Sequence, residues 1–471
     1  MDVERDPADV TSNNGKPLVP ISDQQPSRTL SQRKAEPTKP RRSPAQSNPA
    51  QSAPTYCGDT MKYYDARETR DPAAREQELL ARLPAQIAHA KARAPAFAAL
   101  LQDVDPAAIT TREALASLPV IRKSELLERQ KLARPFGGFA ATGWGPGCAR
   151  VFASPGPIYE PEGARKDYWR LARAFHAAGF RAGDLVHNTF SYHFTPAGSM
   201  METAAQALGC TVFPAGVGQT EQQLAAMLDL RPDAYAGTPS FLRILLDKAA
   251  EAGLRLDSLK KAFVSGEAFP PSQRQALAAA GIQAYQAYAT ADIGLIAFET
   301  PALEGMVLDE DVLLEIVRPG TGDPVAPGEV GEVVVTSFNP DYPLIRFGTG
   351  DLSAVLPGVS PCGRTNTRIR GWLGRADQTT KVRGMFVHPG QVAAVLKRHP
   401  ELGRGRLVVD NPDHNDRMTL HCEVVSPPAG LAEALAGSIR ELTKLRGEVN
   451  FCAPGSLAND GKVIDDIRRY E

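Results

Sequence analysis

Four short apolar segments alternate with helix-like segments between residues 185 and 280, and this order constrains the fold more than any other feature. The apolar segments lie at 185–186, 211–213, 234–236 and 262–264, and helical patterns follow at about 198–208, 220–229, 240–252 and 271–280. A βαβα order predicts a parallel sheet covered by helices on both faces. Ligands bind beyond the carboxyl ends of the strands in such sheets, so the residues that follow the strands are candidates for chemistry.

The segments before this alternation have a helical period. Leu79, Leu83 and Ile87 recur at four-residue spacing, which predicts one buried helix face in the stretch that begins near Asp71. Pro84 is expected to kink or split that helix. Residues 113–133 form a second helical stretch, with a break expected at Pro119.

The pattern becomes extended after residue 305 and changes again after Gly374. Strand-like runs at 312–317 and 332–336 predict a β subdomain of hairpins, and 390–398, 406–410, 418–425 and 431–446 read as helix, strand, strand and helix. We therefore predict an α/β fold. A large N-terminal domain over 61–376 combines parallel sheets, flanking helices and the β subdomain, and a small α+β C-terminal domain covers 377–471.

Residues 1–60 differ from the rest of the chain. They are rich in Ser, Pro, Gln, Asn and Thr and poor in large apolar side chains, so burial cannot offset the entropy of ordering them. We expect a disordered tail or the product of an upstream start codon, because Met61 opens the globular sequence. The alternative is a targeting or interaction arm, which its basic cluster would serve.

Charge and cysteine content exclude several classes of protein. The formal net charge is −1, which argues against a nucleic-acid or membrane partner held by bulk charge. No apolar run is long enough to span a bilayer. The six cysteines form no CxxC pair, which argues against a disulfide framework and favours the reducing cytoplasm.

Polar residues follow two of the predicted strands. Gly266 and Glu267 follow 262–264, where a glycine would admit a ligand and a carboxylate would accept a hydrogen bond. In the segment 284–294, Tyr288 could stack on a purine and Asp292 could hold Mg²⁺. Taken alone, each is more often a turn glycine or a solvated acid.

A third candidate lies in the segment Gly348–Asp351. Asp351 follows a predicted glycine turn and could accept two hydrogen bonds from a ribose diol, while Arg346 would be available to a phosphate or carboxylate. The plain alternative is a capped turn with a surface ion pair.

Several sequence motifs in a fixed order resemble one family. PLIRFGTGD, PCGRTNTRI, GRADQTTKVRG and APGSLANDGK, together with PFGG at 135–138 and GTPS at 237–240, are similar to the phenylacetate–CoA ligase family of adenylate-forming enzymes. The resemblance runs from about residue 62 to the end of the chain. It implies that ATP and a carboxylic acid give an acyl-adenylate and pyrophosphate, after which the small domain rotates and coenzyme A attacks to form a thioester.

The resemblance also implies roles for the candidate residues. Asp351 would bind the ribose hydroxyls, Tyr288 would pack on adenine, Asp292 would hold Mg²⁺ and Arg375 would contact the nucleotide. In the small domain, Asp377 would be the hinge and Lys462 the catalytic lysine. A lysine delivered by a closing domain can neutralise charge that builds on the phosphate oxygens in a site that excludes water.

An aromatic run follows the predicted strand at 185–186, where the family has an aromatic run around its aryl ring. Phe190, Tyr192 and Phe194 are therefore predicted to enclose a flat acyl group. Ordinary core packing is an equally good interpretation.

The phosphate loop departs from the family pattern. The aligned segment is 151–161, in which Ser154 and Gly156 match as phosphate-binding candidates but the threonines and the lysine are missing. Prolines at 155 and 157 remove two backbone donors, and Glu160 adds a negative charge. The altered segment weakens the expected hold on pyrophosphate.

Two further departures lie outside this segment. Ala291 stands where the family has a hydroxyl, and Asp292 replaces its glutamate, which also weakens the expected hold on pyrophosphate. Many relatives bind zinc through three cysteines and a histidine, but only Cys362 remains here, so we predict no zinc.

These features predict an AMP-forming aryl–CoA ligase of the phenylacetate type that uses ATP, Mg²⁺ and coenzyme A. Its partner would be a small aromatic acid rather than nucleic acid or membrane, and a homodimer stays open. One alternative is an adenylate-forming enzyme whose acceptor is a carrier-protein thiol or an amine. The other is a non-catalytic relative that binds AMP or an acyl ligand.

Overall fold

A computed structural model describes residues 62–154, 157–318, 321–376, 378, 380–387, 389–412, 415–458 and 462–468. The predicted N-terminal tail lies outside the described residues, and so do Gly156 and Asp377. For Arg375 the backbone is described and the side chain is not.

The helices in the described part of the chain agree closely with the sequence pattern. Their bounds are α1 Pro72–Arg93, α2 Pro95–Leu100, α3 Arg112–Ala116, α4 Lys123–Leu132, α5 Ala172–Ala177, α6 Ala197–Leu208, α7 Thr220–Leu230, α8 Pro239–Glu251, α9 Pro271–Ala279, α10 Pro389–Arg398 and α11 Leu431–Thr443. Short 3-10 helices span Ala66–Thr69 and Pro106–Ala108.

The strands fall into a large-domain set and a small-domain set. In the large domain they are β1 Ile121–Arg122, β2 Cys148–Ser154, β3 Ile158–Gly163, β4 Leu185–Asn188, β5 Thr211–Pro214, β6 Ala234–Gly237, β7 Lys261–Val264, β8 Gln283–Thr290, β9 Gly294–Glu299, β10 Met306–Leu308, β11 Val312–Val317, β12 Gly331–Ser337, β13 Phe347–Ser353, β14 Val355–Leu356, β15 Arg368–Ile369 and β16 Gly374–Arg375. After these come β17 Thr380–Val382, β18 Met385–Val387, β19 Gly405–Asp410, β20 Arg417–Glu423, β21 Glu448–Cys452 and β22 Ile464–Asp466.

The predicted parallel sheet is present as half of a larger one. Strands β5, β4, β6, β7 and β8 pair in parallel in that order, and β9, β10, β15 and β14 continue the same sheet with antiparallel pairing. The central parallel strands β4, β6 and β7 are short and mostly buried, as expected when helices cover both faces. Their carboxyl ends carry the segments that the sequence marked as candidates.

The predicted β subdomain is a second sheet. Strands β11, β12 and β13 form an antiparallel meander, β1 joins β13 in parallel, and β16 pairs with the same strand. A core of apolar side chains joins this sheet to α1, where Leu79, Leu83 and Ile87 are buried as predicted. This sheet brings segments that are far apart in sequence to the candidate site.

The small domain has its own sheet and core. Strand order is β21, β20, β19 and β22, and β17 pairs with β18 in a separate hairpin. Helices α10 and α11 contribute apolar side chains to a core that is distinct from those of the large domain. The α+β pattern predicted for this region is confirmed.

The effect predicted for Pro84 is partly wrong, whereas the break at Pro119 is confirmed. Helix α1 runs through Pro84 without being split, and Asp71 caps it by accepting a hydrogen bond from the Ala74 amide. The helix loses one internal hydrogen bond at the proline, but burial of its apolar face outweighs that loss. The second stretch divides into α3 and α4, with β1 between them.

In the described part of the chain, no helix is both long enough and apolar enough to cross a bilayer.

Candidate active site

The carboxyl end of β7 opens into the first candidate segment. Gly266 is exposed with φ +84°, a conformation that favours glycine. Glu267 is also exposed, and its Oε1 accepts a 2.6 Å hydrogen bond from the Ser240 amide at the start of α8. From the small-domain hairpin, the Lys381 ammonium donates a 2.5 Å hydrogen bond to the Gly266 carbonyl. This strand end therefore meets the small domain.

Tyr288 and Asp351 lie together, as predicted for two residues of one site. The Tyr288 hydroxyl is 2.9 Å from Oδ2 of Asp351 and 3.0 Å from the Thr349 hydroxyl. The indole nitrogen of Trp372 donates a 3.1 Å hydrogen bond to the other carboxylate oxygen. Asp351 is only 8% exposed. The hydrogen bonds from Tyr288 and Trp372 therefore hold its carboxylate at both oxygens.

The glycine turn predicted before Asp351 is wrong. Residues 349–351 lie within β13, where the register with β12 shifts so that the neighbours of Gly348 and Leu352 are Val334 and Glu332. Several residues of β13 thus oppose one residue of β12, a bulge that redirects side chains. Asp351 also pairs with Arg375 in the register between β13 and β16, which brings those two backbones together.

The availability predicted for Arg346 is also wrong. Arg346 is 1% exposed, and its guanidinium donates to both oxygens of Glu315 and to the carbonyls of Ala116, Leu118 and Gly322. These contacts use all five N–H groups of an arginine. Arg346 therefore holds α3, β1 and the β subdomain together instead of facing a ligand.

Asp292 lies in the turn between β8 and β9 and forms an ion pair with Lys123 at the start of α4. The Asp292 carboxylate is fully buried, whereas the Lys123 side chain is 23% exposed. Among the described residues, Oδ1 of Asp292 has no hydrogen-bond partner. An unpaired buried carboxylate oxygen is costly, so this atom is a candidate ligand for a cation or a proton donor.

The segment aligned with the phosphate loop is a hairpin of β2 and β3. Across its tip, the Ser154 hydroxyl donates a 2.5 Å hydrogen bond to Oε1 of Glu160, and the Ser154 amide donates to Oε2 at 3.2 Å. Glu160 is fully buried. Burial, together with the negative charge of Asp292, raises the pKa of Glu160 to about 8. The hairpin therefore carries a buried carboxylate, not a lysine, that is affected by the charge of Asp292.

Helix α4 fixes the hairpin relative to Asp292. Gln130 exchanges two hydrogen bonds with the backbone of Tyr159, at 2.8 and 2.9 Å, and Tyr159 precedes Glu160. Two turns earlier on the same helix, Lys123 holds Asp292. One rigid element therefore sets the positions of both acidic residues.

The aromatic run after β4 is divided between the core and the surface. Phe190 is buried and lies near Gly266, with a ring carbon 3.6 Å from where a side chain would begin at that glycine. Tyr192 packs on Gly198 of α6 and accepts a 2.8 Å hydrogen bond from Asn188. Phe194 is 81% exposed, so the prediction that it encloses an acyl group is wrong for this arrangement.

Lys462 lies on the surface of the small domain. Its ammonium forms a 3.0 Å ion pair with Asp465, and its side chain is 53% exposed. In this arrangement Lys381, not Lys462, reaches the end of β7.

Cys362 stands where the family's zinc site would be. Its thiol is 3.0 Å from the Ser360 hydroxyl and 3.6 Å from the Arg364 guanidinium. The described residues contain no group of three or more His, Cys, Asp or Glu side chains suited to a metal ion. The absence of zinc stays a prediction.

Sequence reasoning missed two residues of this site. Lys123 contacts Asp292, which is 169 residues away in the sequence. Trp372 contacts Asp351, which is 21 residues away. No motif marks Lys123. Trp372 lies between two motifs that were identified, and an indole next to such segments is the one signal that could have drawn attention to it.

Comparisons with known proteins identify the family. The model of the AMP-binding enzyme family matches residues 166–339. A phenylacetate–coenzyme A ligase of Aromatoleum evansii is 31% identical over 406 residues, which cover 80% of this chain and 90% of that protein. A phenylacetate–coenzyme A ligase of Thermus thermophilus is 32% identical over 372 residues, covering 75% and 82%.

Solved structures share the fold. A 2-hydroxyisobutyryl-CoA ligase in the thioesterification state, with its acyl-adenylate and CoA, gives a TM-score of 0.74 at 24% identity over 88% of this chain and 95% of that one. The same ligase in the postadenylation state gives 0.65 at 25% identity over 86% and 92%. The chain belongs to the phenylacetate–CoA ligase family of AMP-forming, adenylate-forming enzymes.

Proposed function

We propose that this protein is an acid–CoA ligase that activates an aromatic carboxylic acid such as phenylacetate with ATP. The acid forms an acyl-adenylate, and coenzyme A then displaces AMP to give a thioester. The observation that carries the proposal is the 2.9 Å contact between Tyr288 and Asp351. It joins the parallel sheet to the β subdomain at the edge where ligands of such sheets bind.

Asp351 would bind the ribose diol. Tyr288 and Trp372 each donate a hydrogen bond to one oxygen of its carboxylate and so orient it. A carboxylate oriented in this way can accept hydrogen bonds from both hydroxyls of a ribose. Tyr288 would then form one wall of the adenine pocket. Arg375 would contact the nucleotide, because its backbone pairs with that of Asp351.

Phe190 supports an aromatic acid as the substrate. A buried ring next to Gly266 gives a flat wall, and the glycine leaves room for a ligand to approach the backbone. Two relatives are named phenylacetate–coenzyme A ligases, which agrees with an aryl group at this wall. Tyr192 would form the floor of the same pocket.

The residues present fit a magnesium ion. Asp292 offers a buried carboxylate oxygen that has no partner in the described chain, and Mg²⁺ is held in nucleotide enzymes by one or two carboxylates plus phosphate oxygens. When bound, the ion would offset negative charge on the phosphates. Lys123 would keep Asp292 in place from the opposite side.

The position of the small domain supports two successive half-reactions. Lys381 reaches the nucleotide edge, while Lys462 is exposed and paired with Asp465. The overall arrangement is also nearer to the thioesterification state of the solved ligase than to its postadenylation state, with TM-scores of 0.74 and 0.65. Rotation of the small domain would exchange these lysines and bring Lys462 to the phosphates for adenylation.

The test is product formation from ATP, Mg²⁺ and coenzyme A with a matched panel of aromatic and aliphatic acids. We expect pyrophosphate release and acyl-CoA formation with aromatic acids, in equal amounts. Preference for aliphatic acids would overturn the aromatic assignment. Pyrophosphate release without any need for coenzyme A would point to a carrier thiol or an amine as the acceptor.

The hairpin carries a second candidate, a non-catalytic relative that binds AMP or an acyl ligand. Glu160 belongs to the segment aligned with the family's phosphate loop, where its buried carboxylate would repel phosphate unless a cation or a proton intervened. Calorimetry with ATP and AMP separates the candidates. Tighter binding of AMP than of Mg²⁺–ATP, with no pyrophosphate release for any acid, would favour the binder.

A further inference from the structure

Two short strands form the hairpin that carries Lys381. Thr380–Val382 and Met385–Val387 have three residues each and, within the described part of the chain, pair only with each other. An isolated two-stranded hairpin is at best marginally stable in water. Val382 and Val387 are buried in the small-domain core, which holds one face of the hairpin. The position of the Lys381 ammonium depends on what else anchors these strands.

The side chains of β17 alternate between two sides. Thr380 and Val382 are buried and face the small domain. Lys381 lies between them and points the other way, where its ammonium donates a hydrogen bond to the Gly266 carbonyl of the large domain. A shift of the strand by one residue would turn Lys381 away from the large domain. The contact with the end of β7 therefore requires Thr380 to be held in place.

Arg468 holds Thr380 and the backbone next to it. The Arg468 guanidinium donates to the Thr380 hydroxyl at 2.9 Å and to the Lys381 carbonyl at 2.8 Å. Asp466 accepts a hydrogen bond from the same hydroxyl and forms an ion pair with Arg468. The Arg468 side chain is only 6% exposed, so water competes little for these contacts. Hydrogen bonds from a charged donor are strong, and here they fix two successive residues of β17.

The same arginine also acts on the turn that follows β17. Arg468 donates to Oδ1 of Asp416 at 3.1 Å, and Oδ2 of Asp416 accepts a 2.9 Å hydrogen bond from the Arg383 amide. Arg383 has φ +47°, a left-handed conformation that is uncommon outside glycine and needs its surroundings to hold it. Arg468 thus anchors both ends of β17, directly at Thr380 and through Asp416 at Arg383.

The segment that presents Arg468 is itself fixed to the small-domain sheet. Strand β22 pairs in parallel with β19, and the Ile467 amide extends this pairing with a 2.9 Å hydrogen bond to the Val409 carbonyl. Arg468 follows directly. These contacts all lie within the small domain, so they would persist when that domain moves as one body.

We propose that Arg468 is a positioning residue for the thioester-forming half-reaction, because it holds the hairpin in the register that points Lys381 at the end of β7. Arg468 acts through Lys381 and not on the substrate. The inference rests on the proposed function for the identity of the half-reaction. It adds to that function a residue that lies 87 positions from Lys381 in the sequence.

The experiment compares Arg468→Met, Lys381→Ala and the double variant in single-turnover assays of each half-reaction. Arg468→Met should slow thioester formation from a preformed acyl-adenylate about tenfold or more, because a small misplacement of a group at the site is costly. Pyrophosphate release should change little. In the Lys381→Ala background, Arg468→Met should have little further effect, since the two residues act as one unit. Arg468→Lys should restore only part of the rate, because an ammonium lacks the planar fork of donors.

Hydrogen–deuterium exchange of the full chain is a second measurement, and it needs no ligase activity. Arg468→Met should speed amide exchange in residues 380–387 and leave β19 and β20 as in the wild type. The matched control is Arg398→Met, which removes a pair of hydrogen bonds to Glu441 between α10 and α11 of the same domain. This control should change neither the exchange in 380–387 nor either half-reaction.

Thr380→Val is the second variant, should Arg468→Met not fold. It keeps the shape of the side chain and removes the hydroxyl that joins the hairpin to Arg468 and Asp466. Thioester formation should slow several-fold, and exchange in 380–387 should again be faster. Circular dichroism and thermal unfolding verify that each variant is folded.

Unchanged exchange in 380–387, or a wild-type rate of thioester formation by Arg468→Met, overturns the inference. Equal slowing of both half-reactions, or a full further loss of thioester rate in the Lys381→Ala background, also overturns it, because Arg468 would then not act through Lys381. Absence of acyl-CoA formation from any acid by the wild type overturns the proposed function instead. Exchange in 380–387 then still decides whether Arg468 holds the hairpin.

Discussion

The hydroxyl of Tyr288 lies 2.9 Å from the carboxylate of Asp351, although 63 residues separate the two in the chain. Tyr288 belongs to β8 of the nine-stranded sheet, and Asp351 belongs to β13 of the β subdomain. The contact therefore lies where the two sheets of the large domain meet. A site at this seam depends on both sheets keeping their relative position.

Tyr288→Phe should weaken ATP binding because Asp351 loses the hydrogen bond that orients one of its oxygens. A lost hydrogen bond to a buried charged group costs about 1 to 3 kcal/mol, so the KM for ATP should rise about 5- to 150-fold while the KM for the acid changes little. Steady-state kinetics measures both constants. Tyr285→Phe, on the same strand but not bonded to Asp351, serves as the control. Equal KM values for ATP in the two variants would contradict this role for Tyr288.

Arg346→Met should lower stability and leave the KM for ATP nearly unchanged. The change leaves Glu315 buried without its ion-pair partner, which costs about 3 to 5 kcal/mol in such pairs. Chemical denaturation measures the loss of free energy of unfolding, and the control is Arg255→Met, which removes an exposed pair with Asp257. A stable Arg346→Met protein with a strongly raised KM for ATP would return Arg346 to the nucleotide site.

Asp167→Asn should stabilise the protein more at pH 7.5 than at pH 4.5. Burial raises the pKa of Asp167 to about 7, and the negative charge of Asp309 adds to this effect. Between pH 4 and 7 the folded protein keeps a proton that the unfolded chain has lost, so the wild type loses stability as the pH rises through this window. Asparagine does not ionise and can still accept the hydrogen bond from the Ala172 amide.

The gain in free energy of unfolding for Asp167→Asn should grow by about 2 to 4 kcal/mol across that window. Urea denaturation at several pH values measures it. Asp103→Asn, at an exposed position, is the control. Its free energy of unfolding should differ from that of the wild type by the same amount at every pH. A gain for Asp167→Asn that does not change with pH would show that Asp167 is ionised in the folded protein at low pH.

Lys462→Ala and Lys381→Ala should separate the two half-reactions. Lys462→Ala is expected to abolish pyrophosphate release and to spare thioester formation from a preformed acyl-adenylate, because Lys462 would act on the phosphates. Lys381→Ala removes the small-domain contact with the Gly266 carbonyl and should have the opposite effect, slowing the thioester step. Single-turnover assays of each half-reaction measure both. Normal adenylation by Lys462→Ala would end its assignment as the catalytic lysine.

Local patterns in the sequence determined most of the secondary structure. The period of Leu79, Leu83 and Ile87 and the alternation over 185–280 depend on neighbours a few residues apart, so the helices and strands end close to the predicted positions. The motifs also brought Tyr288, Asp292 and Asp351 into one hypothesis, and the structure does place Tyr288 beside Asp351. The local predictions that failed concern Pro84 and the turn before Asp351. The predictions for Arg346 and Phe194 failed because the surroundings of these side chains come from elsewhere in the chain.

Only the tertiary structure decided which polar groups pair. Arg346 reads as an accessible arginine in its motif, but Glu315 and three distant carbonyls enclose it. Lys123 carries no sequence signal, yet it reaches Asp292 across 169 residues. A buried charge has to find a partner wherever the packed chain supplies one, and that partner depends on sheet order and register rather than on local sequence. The sequence by itself determined the order of helices and strands and the family, whereas the packing of sheets and helices determined which charges remain available for a ligand.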